Sequence, residues 1–296
     1  MSEITVPAPE ITAPAPSSEL RVVRGPSSLG GGRRRFFDLL WLMAVTEFKR
    51  VYFGTVLGYV WSLLRPLMYF GVLLLVFTQV FRVGSESVEH YAVMLLTGIV
   101  LFTFFQEATT NSVTSVVSQE GVVRKTQFPR LVIPISTVLT AMFNLGLNLI
   151  IVLVFMLAFG IDPAWTWLLF PVIVLALFIF STAVSVSLAM LYVRFRDVAI
   201  IWSVVTQMVM YATPILYPVN FKEGHHTLEH LLMINPLGVI VVQARVWFLH
   251  EPGAPTALDA AGGWLGLLPA FLITVGLVAF ATWYFGREAP RIAEDL

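Results

Sequence analysis

The sequence predicts an all-α membrane protein with six transmembrane helices, and three observations predict it. Hydrophobic residues make up 57% of the chain and charged residues only 12%, with a mean hydropathy of +0.83, whereas soluble domains carry about a quarter charged residues. Several apolar runs reach the roughly 20 residues that a hydrocarbon core requires. These runs are continuously apolar and do not alternate. Within a bilayer only helices and closed barrels satisfy their own backbone, so helices are expected here, not barrel strands.

The elements follow in order. Residues 1–32 are rich in Pro, Ala, Ser and Gly and end in Gly30-Gly31-Gly32; they are expected to form a disordered cytoplasmic tail. This stretch has no apolar core of the kind a secretory signal needs, so insertion is expected to use the internal spans. The transmembrane domain is expected over 33–287. Arg33-Arg34-Arg35 opens an amphipathic segment, 36–53, in which Asp38, Thr46, Glu47, Lys49 and Arg50 interrupt an apolar pattern. With basic residues at both ends it reads as an interfacial helix along the inner surface. As part of a span, Lys49 and Arg50 would both have to snorkel. Spans are expected at about 57–81, 91–117, 134–159, 167–192, 198–217 and 264–285. Between the last two, residues 228–249 are apolar but broken by Asn235-Pro236 and Gly238. Two short helices dipping into the outer leaflet suit this stretch better than a seventh span. Residues 288–296 are expected to be a cytoplasmic C-terminal tail.

Orientation follows from the basic residues. Of the 18 Lys and Arg residues, only Arg82, Lys222 and Arg245 fall in segments placed outside by six spans. The bias puts both termini in the cytoplasm and the protein in the cytoplasmic membrane.

Several chemistries are excluded or disfavoured. The chain has no cysteine, so disulfides, thiolate metal sites and thiol nucleophiles are out. Its formal net charge of zero gives no reason to expect nucleic acid. The phosphate-binding pattern Gly-x-x-x-x-Gly-Lys-Ser/Thr is absent, so no enzyme activity and no bound cofactor are expected of this chain; uphill transport would draw on a partner or an ion gradient. His226-Thr227-Leu228-Glu229-His230 formally matches an inverted zinc-protease pattern, but so short a motif arises easily by chance.

Two stretches invite a functional reading. The inner loop Gln119–Ser136 combines Glu120, Arg124, Lys125 and Arg130 with Phe128, stiffened by Pro129. A short coupling helix ending there would present an aromatic knob in a cationic rim to a soluble partner, which is the make-up of an interface hot spot; a basic loop that merely obeys topology is the other reading. Glu107 is the one acid expected within a span, flanked by Gln106, Thr109, Thr110 and Asn111. It reads either as a proton site or conduit acceptor, or as a partner for a neighbouring helix.

A specific resemblance then emerges. Leu57-Gly58-Tyr59-Val60-Trp61, Pro66-Leu67 and the run to Val80-Phe81 resemble the Leu-Gly-x-x-Trp…Pro-Leu…Val-Phe signature of ABC-2 type polysaccharide-export permeases. Further stretches are similar in the same order: Leu96-Thr97-Gly98 with Phe104-Phe105, Arg124-Lys125 with Phe128-Pro129-Arg130, Arg196-Asp197-Val198, Thr213-Pro214-Ile215-Leu216-Tyr217 and Ile234-Asn235-Pro236-Leu237. The resemblance covers about residues 34–287. One departure is Phe102, where relatives often carry Trp.

Members of this Wzm-like group export O-antigens, teichoic acids or cell-wall galactan. The resemblance therefore implies a homodimer in membrane lipid with two copies of a separate ATPase, which would bind the ATP and Mg, and a lipid-linked polysaccharide as substrate, with a galactan or O-antigen-like polymer expected. It implies ATPase contacts at Phe48, Lys49, Arg50, Tyr52, Arg124, Lys125, Phe128, Pro129 and Arg130. It places Tyr59, Tyr69, Phe102, Phe105, Glu107, Trp202 and Tyr211 along the substrate path, where aromatic faces suit sugar rings. Asn235 and Pro236 belong to the implied outer gate. A gradient-driven glycolipid flippase using Glu107 and a small-molecule efflux permease are the alternatives.

Overall fold

A computed structural model describes residues 32–52, 58, 60–80, 90–121, 129–219, 226–249 and 255–288. These are helices and short connections, with no strand among the described residues. Helix α1 is Gly32–Tyr52, α2 is Val60–Leu75 with a π-helical continuation Val76–Val80, and α3 is Tyr91–Ser118. Helix α4 is Val132–Ala158; a 3-10 turn, Trp165–Leu169, leads into α5, Phe170–Arg194. Then come α6 Val198–Ala212, α7 His226–Ile234, α8 Pro236–Leu249, α9 Ala257–Ala260 and α10 Trp264–Glu288.

Five of the described helices, α2 to α5 and α10, are long and apolar enough to cross a bilayer, and a sixth crossing is possible if α7 and α8 act as one bent span. The protein is therefore a multi-pass α-helical membrane protein. Its centre is α3, which packs against α2, α4, α5, α6 and α8. Being surrounded, α3 needs no polar outer face over its first half, and Val93, Leu95, Leu96, Ile99, Leu101, Phe104 and Phe105 are all buried. Small residues on α5 let it come close: Ser181, Ser185 and Ala189 are each 0% exposed, and the Ser185 hydroxyl donates to the Ala108 carbonyl at 3.2 Å. Helix α10 packs on α5 and leaves Leu265, Phe271, Leu272, Val275 and Trp283 exposed, as a lipid-facing side requires.

Helix α1 lies against α4. Leu40, Ala44 and Phe48 recur every four residues and so share a face. Ala44 is fully buried and its carbonyl accepts from Thr140 at 3.2 Å. Trp41 and Phe48 both meet the Phe143 ring edge-on, at 5.4 and 5.5 Å.

The fifth expected span, 198–217, is not helical throughout. Helix α6 stops at Ala212, because Pro214 lacks an N–H and pushes Thr213 into an extended conformation (φ −97°, ψ 133°). Its 15 residues cover about 22 Å, short of a ~30 Å hydrocarbon layer. The five residues that follow have carbonyls that α6 cannot satisfy, and the rest of the bundle takes them up. Arg245 of α8 donates to Ile215 O at 2.8 Å and Tyr217 O at 3.3 Å, and the Tyr91 hydroxyl donates to Leu216 O at 2.7 Å. Non-helical backbone at membrane depth survives only when protein covers it in this way.

Beyond this turn α7 and α8 meet at 106°. Asn235 makes the corner: its side-chain oxygen accepts from Leu237 N at 3.1 Å, capping α8, and its amide donates to Thr213 at 2.9 Å. Pro236 occupies the first helical position, where its missing N–H has no consequence. Gly238 lets the two helices touch, since a Cβ there would lie 2.6 Å from the Leu232 carbonyl oxygen. Gly238→Ala is therefore expected to destabilise the protein by about 1–3 kcal/mol, read as a lower thermal midpoint in detergent. Gly146→Ala, whose Cβ meets nothing within 4 Å, should leave that midpoint unchanged or raise it.

Candidate functional site

A cleft of about 900 Å³ opens where the end of α1, the start of α2 and the second half of α3 face α4. Its lining is polar although the surrounding helices are apolar. Along α3, Thr103, Gln106, Glu107, Thr110, Asn111 and Thr114 fall at spacings of three and four residues, so one stripe of this otherwise buried helix faces the cleft. Helix α4 contributes Asn144 and Asn148, one turn apart, α2 contributes Ser62 and Arg65, and α1 contributes Tyr52.

These groups form a ladder. The Tyr52 hydroxyl donates to Asn144 Oδ1 at 3.0 Å, while Asn144 Nδ2 donates to the Glu107 carboxylate. One turn on, Asn148 Nδ2 donates to the Ser62 carbonyl at 3.3 Å and to Asn144 O at 2.8 Å. Two asparagines on α4 thus tie α1, α2 and α3 together. Burial pushes the Tyr52 pKa up, and the Glu107 charge adds to it, against the hydrogen bonds to Asn144 and Ser62 and the Arg65 charge. Tyr52 is therefore a neutral hydroxyl, able to donate, at any physiological pH.

The structure distributes the sequence-nominated residues as follows. Glu107 and Tyr52 sit in the cleft, and Glu107 has the helix partner that one of its two readings called for. Lys49 and Arg50 are exposed on α1, with Arg50 paired to Glu47 at 2.6 Å. Phe48 is half-buried, edge-on to Tyr52 at 5.2 Å. Pro129 and Arg130 are half-buried in the turn that starts α4. Tyr59, Arg124, Lys125 and Phe128 lie outside the described residues. Phe102 and Phe105 are core side chains within this subunit; Phe105 is 1% exposed and stacks on Phe180 at 5.6 Å. Trp202 closes over Phe105 and donates to Thr109 at 3.1 Å. Tyr69 and Tyr211 are exposed on α2 and α6, and the Tyr69 hydroxyl reaches Met210 Sδ at 3.3 Å. Asn235 and Pro236 form the α7–α8 corner. His230 packs its ring beside Gly262, and the described residues contain no cluster of three or more metal-binding side chains.

Sequence reasoning missed Asn144, Asn148 and Ser62, and read Arg65 only for topology. The signal was present: two amides four residues apart in an apolar helix share one face and must find partners there.

Residues 38–249 match the ABC-2 type transporter family. The chain belongs to that family. All the cleft residues lie within the matched stretch. Among relatives of this ABC-2 transporter chain is an O-antigen export system permease protein, RfbA, of Myxococcus xanthus, 31% identical over 262 residues, which are 88% of this chain and 96% of that protein. A protein of the same name from Klebsiella pneumoniae is 30% identical over 215 residues, 72% of this chain and 81% of its own.

The ladder has a measurable consequence. Asn144→Leu leaves the Glu107 carboxylate and the Tyr52 hydroxyl without their shared partner, and should lower unfolding stability in detergent by about 1–3 kcal/mol. Thr110→Ala, at an exposed position in the same cleft, should stay within about 0.5 kcal/mol.

Proposed function

We propose that this chain is the transmembrane permease subunit of an ABC exporter that carries a lipid-linked polysaccharide across the cytoplasmic membrane, driven by a separate ATPase. The observation that carries the reading is the likeness to an O-antigen export permease over 88% of the chain, and the polar cleft among apolar helices supports it. The working unit is a homodimer with two ATPase subunits, and ATP and Mg bind on those subunits. The polymer is O-antigen-like, with galactan the specific candidate.

In this reading both termini face the cytoplasm. Helix α1 lies at the inner surface, and its exposed Phe37, Trp41 and Lys49, with the 124–130 loop, receive the ATPase. Motion of α1 reaches the bundle through Tyr52 and Asn144. The exposed faces of α2 and α6, which carry Trp61, Tyr69, Ile201, Val204 and Tyr211, meet the second copy and the polymer. The α7–α8 corner works as the outer gate.

The test is export in cells. Depleting the chain should leave a lipid-linked glycan inside the cytoplasmic membrane, and re-expression should clear it only when the partner ATPase keeps its phosphate-loop lysine. Clearance by this chain with an inactive ATPase would favour the gradient-driven reading instead. Topology is checked easily because the chain has no cysteine. A single cysteine placed at Phe128 should resist a membrane-impermeant maleimide in intact cells and react in inverted vesicles.

A further inference from the structure

Among the described residues four charged side chains line the cleft: Glu47 and Arg50 from α1, Arg65 from α2 and Glu107 from α3. The first two have closed on each other at 2.6 Å. The other two, one cation and one anion, stand apart, each beyond ion-pair distance of any opposite charge among the described residues. Asn144 bonds one oxygen of the Glu107 carboxylate, and the second oxygen receives no bond from the described residues. Arg65 is exposed on the cleft, and its charge acts across it on both Tyr52 and Glu107. An arginine within a spanning helix is costly to hold in the apolar layer and marks a function. Shutting the cleft and expelling its water would be costlier still if the two charges remained apart, and favourable if they met.

Helix α2 has the means to bring them together. Pro66 follows Arg65 directly and lacks the N–H that would bond the Ser62 carbonyl. Asn148 Nδ2 meets that carbonyl from α4 at 3.3 Å instead. The first turn of α2 is therefore tied less firmly to its own helix, and Pro66 is the hinge. The helix ends in a π-helical stretch, Val76–Val80, and 11% of its spanning window is buried, against 78% for α3. Arg65 thus rides on the loosest turn of a lightly packed wall of the cleft, while Glu107 belongs to the most deeply buried wall.

We propose that Arg65 and Glu107 form the latch of the cleft: when the ATPase binds nucleotide, the start of α2 swings about Pro66, Arg65 takes the second Glu107 oxygen, and the cleft closes with neither charge left alone. This rests on the export reading and names a contact that the spans make and break during each cycle. Arg65 is a positioning residue in that cycle. It touches neither nucleotide nor polymer, and fixes where α2 stops against α3. Asn144 keeps its bond to the first carboxylate oxygen, so the ladder between α1, α4 and α3 survives closure and gains a second tie to α2. A guanidinium on a carboxylate is directional as well as strong, which gives the closed cleft one defined geometry.

The experiment uses the full chain with its ATPase in inverted membrane vesicles. Thr110→Cys supplies this chain's one thiol, at an exposed position on the cleft. Its labelling by a water-soluble maleimide is timed with and without Mg and a non-hydrolysable ATP analogue. Labelling should slow about tenfold or more with the analogue. Arg65→Gln and Glu107→Gln should each abolish that slowing, Arg65→Lys should keep part of it, and the double variant should behave as either single one. Glu107→Gln is the sharper change, because glutamine keeps an oxygen for Asn144 and loses only the charge. Arg194→Gln, at the exposed inner end of α5, should change nothing. Labelling that ignores nucleotide overturns the latch, as does full slowing in Arg65→Gln or Glu107→Gln, or loss of slowing in Arg194→Gln as well. If Arg65→Gln does not fold, Glu107→Gln decides: slowing abolished supports the latch, slowing retained overturns it. Should the latch fail while depletion of the chain still blocks polymer export, the export reading stands and only this assignment falls.

Discussion

A membrane interior supplies no partner for an unmet amide, and this constraint organises the molecule around α4. Asn144 and Asn148 stand in a helix whose spanning window has a mean hydropathy of 2.3, and each must find its bonds in protein. Every partner that Asn144's side chain uses belongs to another helix: Tyr52 at the end of α1 and Glu107 in the middle of α3. Asn148 adds the first turn of α2. One pair of side chains thereby fixes where three other helices can sit and holds the polar cleft open between them. The apolar contacts along α3 set the stability of the bundle, but dispersion contacts are non-directional. The amides supply direction.

The same constraint recurs around the end of α6. Pro214 ends the helix early, and the carbonyls that follow are met by Arg245 and Tyr91. Asn235 then joins the corner of α7 and α8 to Thr213. The described residues thus contain two polar knots, one at the cleft and one at the α7–α8 corner, linked by α3, which carries Tyr91 and Gly98 near one and Glu107 at the other. At Gly98 an added Cβ would already touch Ile215 at 3.0 Å, so α3 and the turn after α6 are in direct contact. A shift of α1 against α4 has a contiguous route of packed and hydrogen-bonded groups to follow through the bundle.

The sequence made the spans legible because hydropathy at membrane length is a strong signal, and α3, α4, α5 and α10 lie within a few residues of their expected positions. It also made the break at Asn235-Pro236 legible, because proline and a capping asparagine act locally. The early end of α6 was readable in principle from Thr213-Pro214, but the apolar run to Tyr217 outweighed it. The aromatic residues were harder. Phe102 and Phe105 look the same in sequence as Tyr69 and Tyr211, yet the first pair lies inside the core and the second on the surface, since their faces of α3 are covered by neighbouring helices and the outer faces of α2 and α6 are not. Which face of an all-apolar helix points inward is decided by its neighbours, not by its own composition. The site was half visible: Glu107 declared itself as an acid in a span, while Asn144 and Asn148 become meaningful only once α4 is seen against α1 and α3.

The Asn144 amide joins α1 to α3. A double-mutant cycle on Tyr52→Phe and Asn144→Leu, with unfolding free energies measured in detergent, tests that most directly. The predicted coupling is about 0.6 kcal/mol, the average found for hydrogen bonds between membrane helices, and no more than about 1.7 kcal/mol, with the double variant little worse than Asn144→Leu alone. Simple additivity of the two single changes would contradict it.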